Sequence, residues 1–170
     1  MQKFVDNIFS KLKSIEEQAF LSAVILEGFP RSIQLDGYSC GAKSIYTVLK
    51  YFGRSCTPRS VERQLGTTWE GTSQTDIKRV LKERNLSYRM IGKRTLKTLR
   101  DAIDNESPVL ISLYDGWHYS VVYGYSDSHI FVMNPSLDFT SMGSIWNAVP
   151  IPDFRKIWDR WGIIVSDNKF

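Results

Sequence analysis

The segment QLDGYSCGAKSIYTVLKYFG, Gln34 to Gly53, decides the fold. Ala42, Ile45, Leu49 and Phe52 recur at helical spacing with Val48 beside them, so the segment reads as a buried helix. Gly53 suits the position just past a helix C-terminus. The helix then opens at Cys40, with Gly41 next. A helix N-terminus presents unpaired N–H groups, whose partial positive charge lowers a thiol pKa and favours the nucleophilic thiolate. Gly41 would let a substrate approach the backbone closely.

On the N-terminal side, Phe4, Ile8, Leu12, Ile15, Phe20 and Val24 keep helical spacing. They make residues 1–27 a helical extension, ended by GFPRS (Gly28 to Ser32), with the main domain over 28–170. Downstream, TPRSVERQLG (Thr57 to Gly66) predicts a short helix capped by Thr57, with Pro58 in its first turn. TSQTDIKRVLKERN (Thr72 to Asn85) and TLKTLRDAIDNE (Thr95 to Glu106) predict two more. The pattern then changes to strands: PVLISLY (108–114), HYSVVYGY (118–125), HIFVMN (129–134) and RWGIIVS (160–166). Helices followed by an antiparallel sheet give an α+β class.

The 170 residues suffice for one core, and 42% hydrophobic with 24% charged residues is ordinary globular composition. A net charge of +4 is spread among interleaved acids without a basic stripe, which argues against a nucleic-acid partner. The longest apolar run, AFLSAVIL (Ala19 to Leu26), falls short of the roughly 20 residues a bilayer span needs. No secretory signal is visible at the start, so the chain reads as cytoplasmic. Cys40 and Cys56 flank the helix, which at about 1.5 Å per residue holds them on the order of 18 Å apart, so both thiols are expected to be free. Two Cys and two His (His118, His129) show no zinc-like spacing.

A thiol at a helix tip needs a base. His118 opens one predicted strand and His129 the next. If these strands form a hairpin with Tyr125 opposite His129, Asn134 faces Ser120; closed two residues tighter, Asn134 faces His118. Either register puts Asn134 on the His118 face, where its amide can orient the imidazole and fix its tautomer, while an odd register breaks this. His129 alternates away from Asn134 on its own strand and reads as a turn residue. The backbone N–H of Cys40 and the side-chain amide of Gln34 can donate to a developing oxyanion. Each residue also has a plainer reading: Cys40 as a small buried hydrophobe, His118 as a hydrogen-bonded strand residue, Asn134 as a strand-ending turn, Gln34 as solvated loop. Trp117 reads as a groove wall or water shield, or as rim packing. Cys56 reads as packing, and Asp36 and Asp115 as turn residues.

QLDGYSCGAKS, GWHYSVVYGYSDSHIFVMNPS and the closing DRWGIIVS together resemble the C39 family of papain-like cysteine peptidases, in particular its stand-alone members. The resemblance runs from about Ile33 to Ser166 and leaves the N-terminal segment outside. It implies a papain-like fold with a central nucleophile helix packed on an antiparallel sheet. It implies Cys40 as nucleophile, His118 as base, Asn134 before Pro135 as the orienting residue, and Gln34 completing the oxyanion hole. The family's usual third residue is aspartate, so Asn134 departs from the pattern: it orients the ring but removes a charge that would stabilise imidazolium. The implied reaction is hydrolysis of a peptide bond through a thioester acyl-enzyme, by analogy after a Gly-Gly-type motif, on a peptide or protein substrate, with no metal or cofactor. The alternatives are an inert peptide-binding domain of the same fold, or a deamidase or acyltransferase using the same residues.

Overall fold

The computed structural model describes residues 22–91, 95–136 and 148–168. Its strands are β1 (Val24–Ile25), β2 (Ser87–Met90), β3 (Val109–Leu113), β4 (His118–Tyr125), β5 (His129–Met133), β6 (Ala148–Pro150) and β7 (Trp158–Ser166). They form one antiparallel sheet in the order β2-β7-β3-β4-β5-β6, with β1 also paired to β4. The helices are α1 (Cys40–Tyr51), α2 (Pro58–Gln64), α3 (Gln74–Glu83), α4 (Leu96–Asp104) and α5 (Ile151–Ile157).

Local sequence accounts for the helix starts. The Thr57 and Ser60 side chains form a reciprocal capping box ahead of Pro58. Ser73 caps α3 through the Asp76 N–H, and Thr95 caps α4 through the Thr98 N–H. α1 is different: its N-cap, Ser39, makes no side-chain cap bond. Asp36 organises the approach instead, its carboxylate accepting from the N–H groups of Tyr38 (3.0 Å) and Ser39 (2.7 Å) and from the Ser39 hydroxyl (2.9 Å).

The sheet is covered on both faces, and strand alternation sorts its residues between them. Leu110, Val121, Met133, Ile163 and Val165 pack with Ile45, Val48 and Leu49 of α1 and with apolar residues of α2 and α3. Val109, Ile111, Val122, Val132 and Ile164 pack with Leu99, Ala102 and Ile103 of α4 and with Phe154 of α5. Covering both faces explains why β3 and β5 are buried at every position.

Three features depart from the sequence-based expectations. Residues 1–21 of the expected helical extension lie outside the described residues, and near its end Val24–Ile25 is a strand. It lies antiparallel to Tyr125 and Gly124, beyond the stretch of β4 that pairs with β3, and so supplies partners to an otherwise open edge. A Cβ on Gly124 would sit 2.8 Å from the Val24 carbonyl oxygen, so a bare glycine is what admits β1. Second, β2, β6 and α5 were not anticipated. Each is short, and the first two are edge strands. Third, the β4–β5 hairpin does not pair Tyr125 with His129. Tyr125 pairs with Ile130 and Gly124 with Phe131, an odd register, and a bulge between Val122 and Gly124 separates it from the even one at Val122↔Val132 and Val121↔Met133.

Candidate active site

That bulge decides which face Asn134 takes. Continued in the odd register of the hairpin tip, Asn134 would turn away from the face of His118. In the register that holds at Val122 and Val121 it returns to it, and His118 Nε2 lies 2.8 Å from Asn134 Oδ1. The same Oδ1 accepts from the backbone N–H of Ser136 at 2.8 Å. A backbone N–H can only donate, so this atom is the amide oxygen, and His118 must donate to it from Nε2. A neutral His118 therefore carries its proton on Nε2 and keeps the lone pair on Nδ1.

Cys40 is the first residue of α1 and 7% exposed. Its sulfur lies close enough to the N–H of Tyr119, the peptide that leaves His118, for that group to favour the thiolate. The N–H groups of Gly41 and of Cys40 itself act in the same direction. Ser44, one turn on, ties α1 to the same strand through its hydroxyl, which donates to the Tyr119 carbonyl at 3.3 Å. No hydrogen bond joins Cys40 to His118. The two residues meet through the His118–Tyr119 peptide.

Gln34 is buried, and its backbone N–H donates to the Pro135 carbonyl at 2.8 Å, so the loop ahead of α1 is tied to the segment that carries Asn134. Its side-chain nitrogen donates to the Asp36 carbonyl at 2.6 Å. An amide nitrogen has two hydrogens, and the second is not used by that contact. The Gln34 Oε1 and Asn134 Nδ2 atoms are buried without hydrogen-bond partners. His129 stays apart from this group, with its Nδ1 against the Ser128 hydroxyl at 2.7 Å. Cys56 is half-buried against the α1–α3 core, and both cysteines are free thiols.

Gly41 has a different reason from the one its position suggested. A Cβ there would lie 2.8 Å from Thr72 Cβ and 3.1 Å from a Tyr119 ring carbon. The space beside it is filled by packing. We expect Gly41→Ala to destabilise the fold by about 1–3 kcal/mol, read as a lowered denaturation midpoint. An unchanged midpoint would mean that Thr72 yields freely.

Electrostatics reverse one sequence-based expectation. The Cys40 thiol is pushed above its ordinary value near 9.0. Burial raises it, the nearby Asp36 charge adds to this, and the three N–H groups offset only part. The helix tip does favour the thiolate, but desolvation outweighs it. Burial also pushes His118 below its ordinary 6.5, against the opposing effect of the Asn134 bond. Both groups are thus neutral at rest near pH 7. Burial raises the Asp36 carboxyl, but the Tyr38 and Ser39 hydrogen bonds and the Lys43 charge more than offset it, and its pKa falls overall.

His129 is also lowered by burial. A group whose folded pKa is depressed contributes stability above its unfolded pKa and loses it as pH falls through the folded value. Both histidines therefore withdraw stability as pH drops below about 6.5. Asp36 withdraws its share only at lower pH, below about 3.9. Thermal unfolding should show Tm beginning to fall between pH 7 and 5, well before carboxylates titrate. A flat Tm across that interval would contradict the burial of the two imidazoles.

Comparison with known proteins follows the same lines. The model of the peptidase C39 family matches residues 29–169. An uncharacterised protein of Methanothermobacter marburgensis is 26% identical over 104 residues, covering 61% of this chain and 70% of its own. Among solved structures, the peptidase domain of Streptococcus ComA, a bifunctional ABC transporter, superposes with a TM-score of 0.67 at 21% identity, over 81% of this chain and 98% of that one. A double-glycine-motif protease from an AMS/PCAT transporter, solved with its leader peptide, gives a TM-score of 0.66 at 18% identity, over 80% of this chain and 89% of that one. A protein named as a C39-like peptidase from Bacillus anthracis gives 0.66 at 15% identity, over 85% and 97%. The fold is accordingly that of C39 papain-like peptidase domains.

Proposed function

The chain belongs to the peptidase C39 family, and from that membership we propose that it is a cysteine peptidase in which Cys40, His118 and Asn134 act together. The observation that carries the proposal is the doubly bonded Asn134 oxygen. By accepting from both His118 Nε2 and the Ser136 N–H, it leaves Nδ1 of the imidazole as the free base.

In this reaction His118 Nδ1 takes the Cys40 proton as the sulfur attacks the carbonyl carbon of a peptide bond. The negative charge that develops on the oxygen is met by the Cys40 N–H and the second amide hydrogen of Gln34. His118 gives its proton to the leaving nitrogen, the C–N bond breaks and a thioester remains. Water, deprotonated by His118, attacks the thioester; the acid leaves, and the thiol takes back a proton. Closely spaced small residues on the acyl side, of the Gly-Gly type, are the favoured substrate by analogy with the double-glycine protease among the structural neighbours. No helix among the described residues is long and apolar enough to cross a membrane.

The test is mass spectrometry of a peptide library after incubation with the protein and with Cys40→Ala. Paired fragments formed only by the wild type support the proposal. Intact peptides carrying an acid in place of an amide would instead mean deamidation. An unchanged library would leave a binding domain.

A further inference from the structure

Three large apolar side chains stand out among the described residues for their exposure. Leu35 is 90% exposed, Trp117 86% and Trp69 80%. Leu35 follows Gln34, and Trp117 precedes His118. Trp69 tips a turn closed by reciprocal Thr68–Gly71 backbone bonds of 3.1 and 2.9 Å, and Thr72 just beyond it packs on Gly41. Of the three, Trp117 adjoins a residue of the proposed mechanism directly in the chain, at His118.

The backbone at Trp117 is tied down on both sides. It ends the Tyr114–Trp117 loop between β3 and β4, which the Leu113↔His118 pair closes. The Tyr114 N–H donates to the Ile157 carbonyl at 2.9 Å, which moors the loop to the end of α5, and the Trp117 N–H donates back to the Tyr114 carbonyl at 3.3 Å. Tyr114, Asp115 and Gly116 are all left-handed, with φ of 56°, 56° and 93°. Two of these are not glycine, so the tight turn is maintained against its own conformational preference.

We propose that Trp117 selects the substrate residue on the leaving side of the scissile bond, favouring an apolar or aromatic side chain there. The inference rests on the peptidase reading. His118 protonates the leaving nitrogen, so that nitrogen must come within a hydrogen bond of the imidazole. The side chain attached one bond beyond it then lies against whatever flanks His118. The Cα of Trp117 is about 3.8 Å from that of His118 along the chain, and its indole is free to cover an apolar group.

The experiment compares kcat/KM for peptides that differ only in the first residue after the cleaved bond, with wild type, Trp117→Ala and Trp117→Phe. Alkylation of Cys40 by iodoacetamide is measured in parallel. Wild type should prefer Leu, Phe or Trp over Gly or Asp at that position. Trp117→Ala should lose about tenfold on the aromatic peptides, mainly through KM, with the glycine peptide and the alkylation rate unchanged, and Trp117→Phe should keep most of the preference. Cleavage with the same profile in Trp117→Ala overturns the inference and leaves the peptidase reading intact. No cleavage by wild type overturns both.

Discussion

His118→Gln should lower kcat/KM for peptide hydrolysis by about 10²–10⁴-fold while leaving the protein folded. Glutamine is chosen for a physical reason. Its side-chain amide can still donate to the Asn134 oxygen that receives His118 Nε2 at 2.8 Å, so the buried bond survives. What disappears is the Nδ1 lone pair, the only atom of the ring that the Asn134 contact leaves available as a base. The measurement is steady-state kinetics beside a thermal melt. A variant that melts like wild type and cleaves at its rate would remove His118 from the mechanism. A variant that fails to melt cooperatively calls for His118→Asn as a second measurement, with the same expected loss.

The second large effect concerns Asn134. With the Cys40 thiol raised and His118 lowered by burial, the resting pair is neutral, and the rate of Cys40 alkylation should keep climbing with pH to beyond about 9. Asn134→Asp places a carboxylate on the imidazole. An opposite charge at this distance shifts a pKa by about 1–3 units towards the charged form. His118 then becomes easier to protonate, and in the proposed mechanism its imidazolium favours the Cys40 thiolate. Alkylation near pH 7 should rise about tenfold or more, with the midpoint moved to lower pH. The site tolerates the change well: Asn134 Nδ2 has no hydrogen-bond partner, while Oδ1 holds both contacts, so aspartate gives up no bond and removes a buried unpaired donor. Superimposable pH profiles for the two proteins would show that the third residue of this site orients the ring without tuning the thiol. The reading has a mechanistic consequence. In the proposed mechanism a neutral pair transfers its proton only as the sulfur attacks, so the protein with Asn134 should react slowly with simple alkylating agents near pH 7.

Several parts of this structure are legible in the sequence because their causes are local. Thr57, Ser73 and Thr95 cap the helices that follow them through bonds three residues away. The apolar spacing of Ala42, Ile45 and Leu49 marks the buried stripe of α1. Alternation along 109–113 and 118–122 sorts those residues between the two faces of the sheet. The short elements were harder to read. β6 pairs at only three positions and α5 runs for seven residues, too little for periodicity to declare itself. β1 owes its strand character to a partner a hundred residues away in the chain, across the bare backbone of Gly124.

The sequence by itself determined the candidate residues, because a cysteine at a helix tip, a histidine opening a strand and an asparagine ending the next are positions set by local pattern. Only the tertiary structure decided their relation. The hairpin closes in an odd register that would carry Asn134 off the His118 face, and the bulge between Val122 and Gly124 brings it back. Packing also decided the charge state of the thiol: the helix tip favours the thiolate, but Cys40 is buried deeply enough for desolvation to prevail. Register and burial both depend on groups brought together from distant parts of the chain, and no local pattern carries that information.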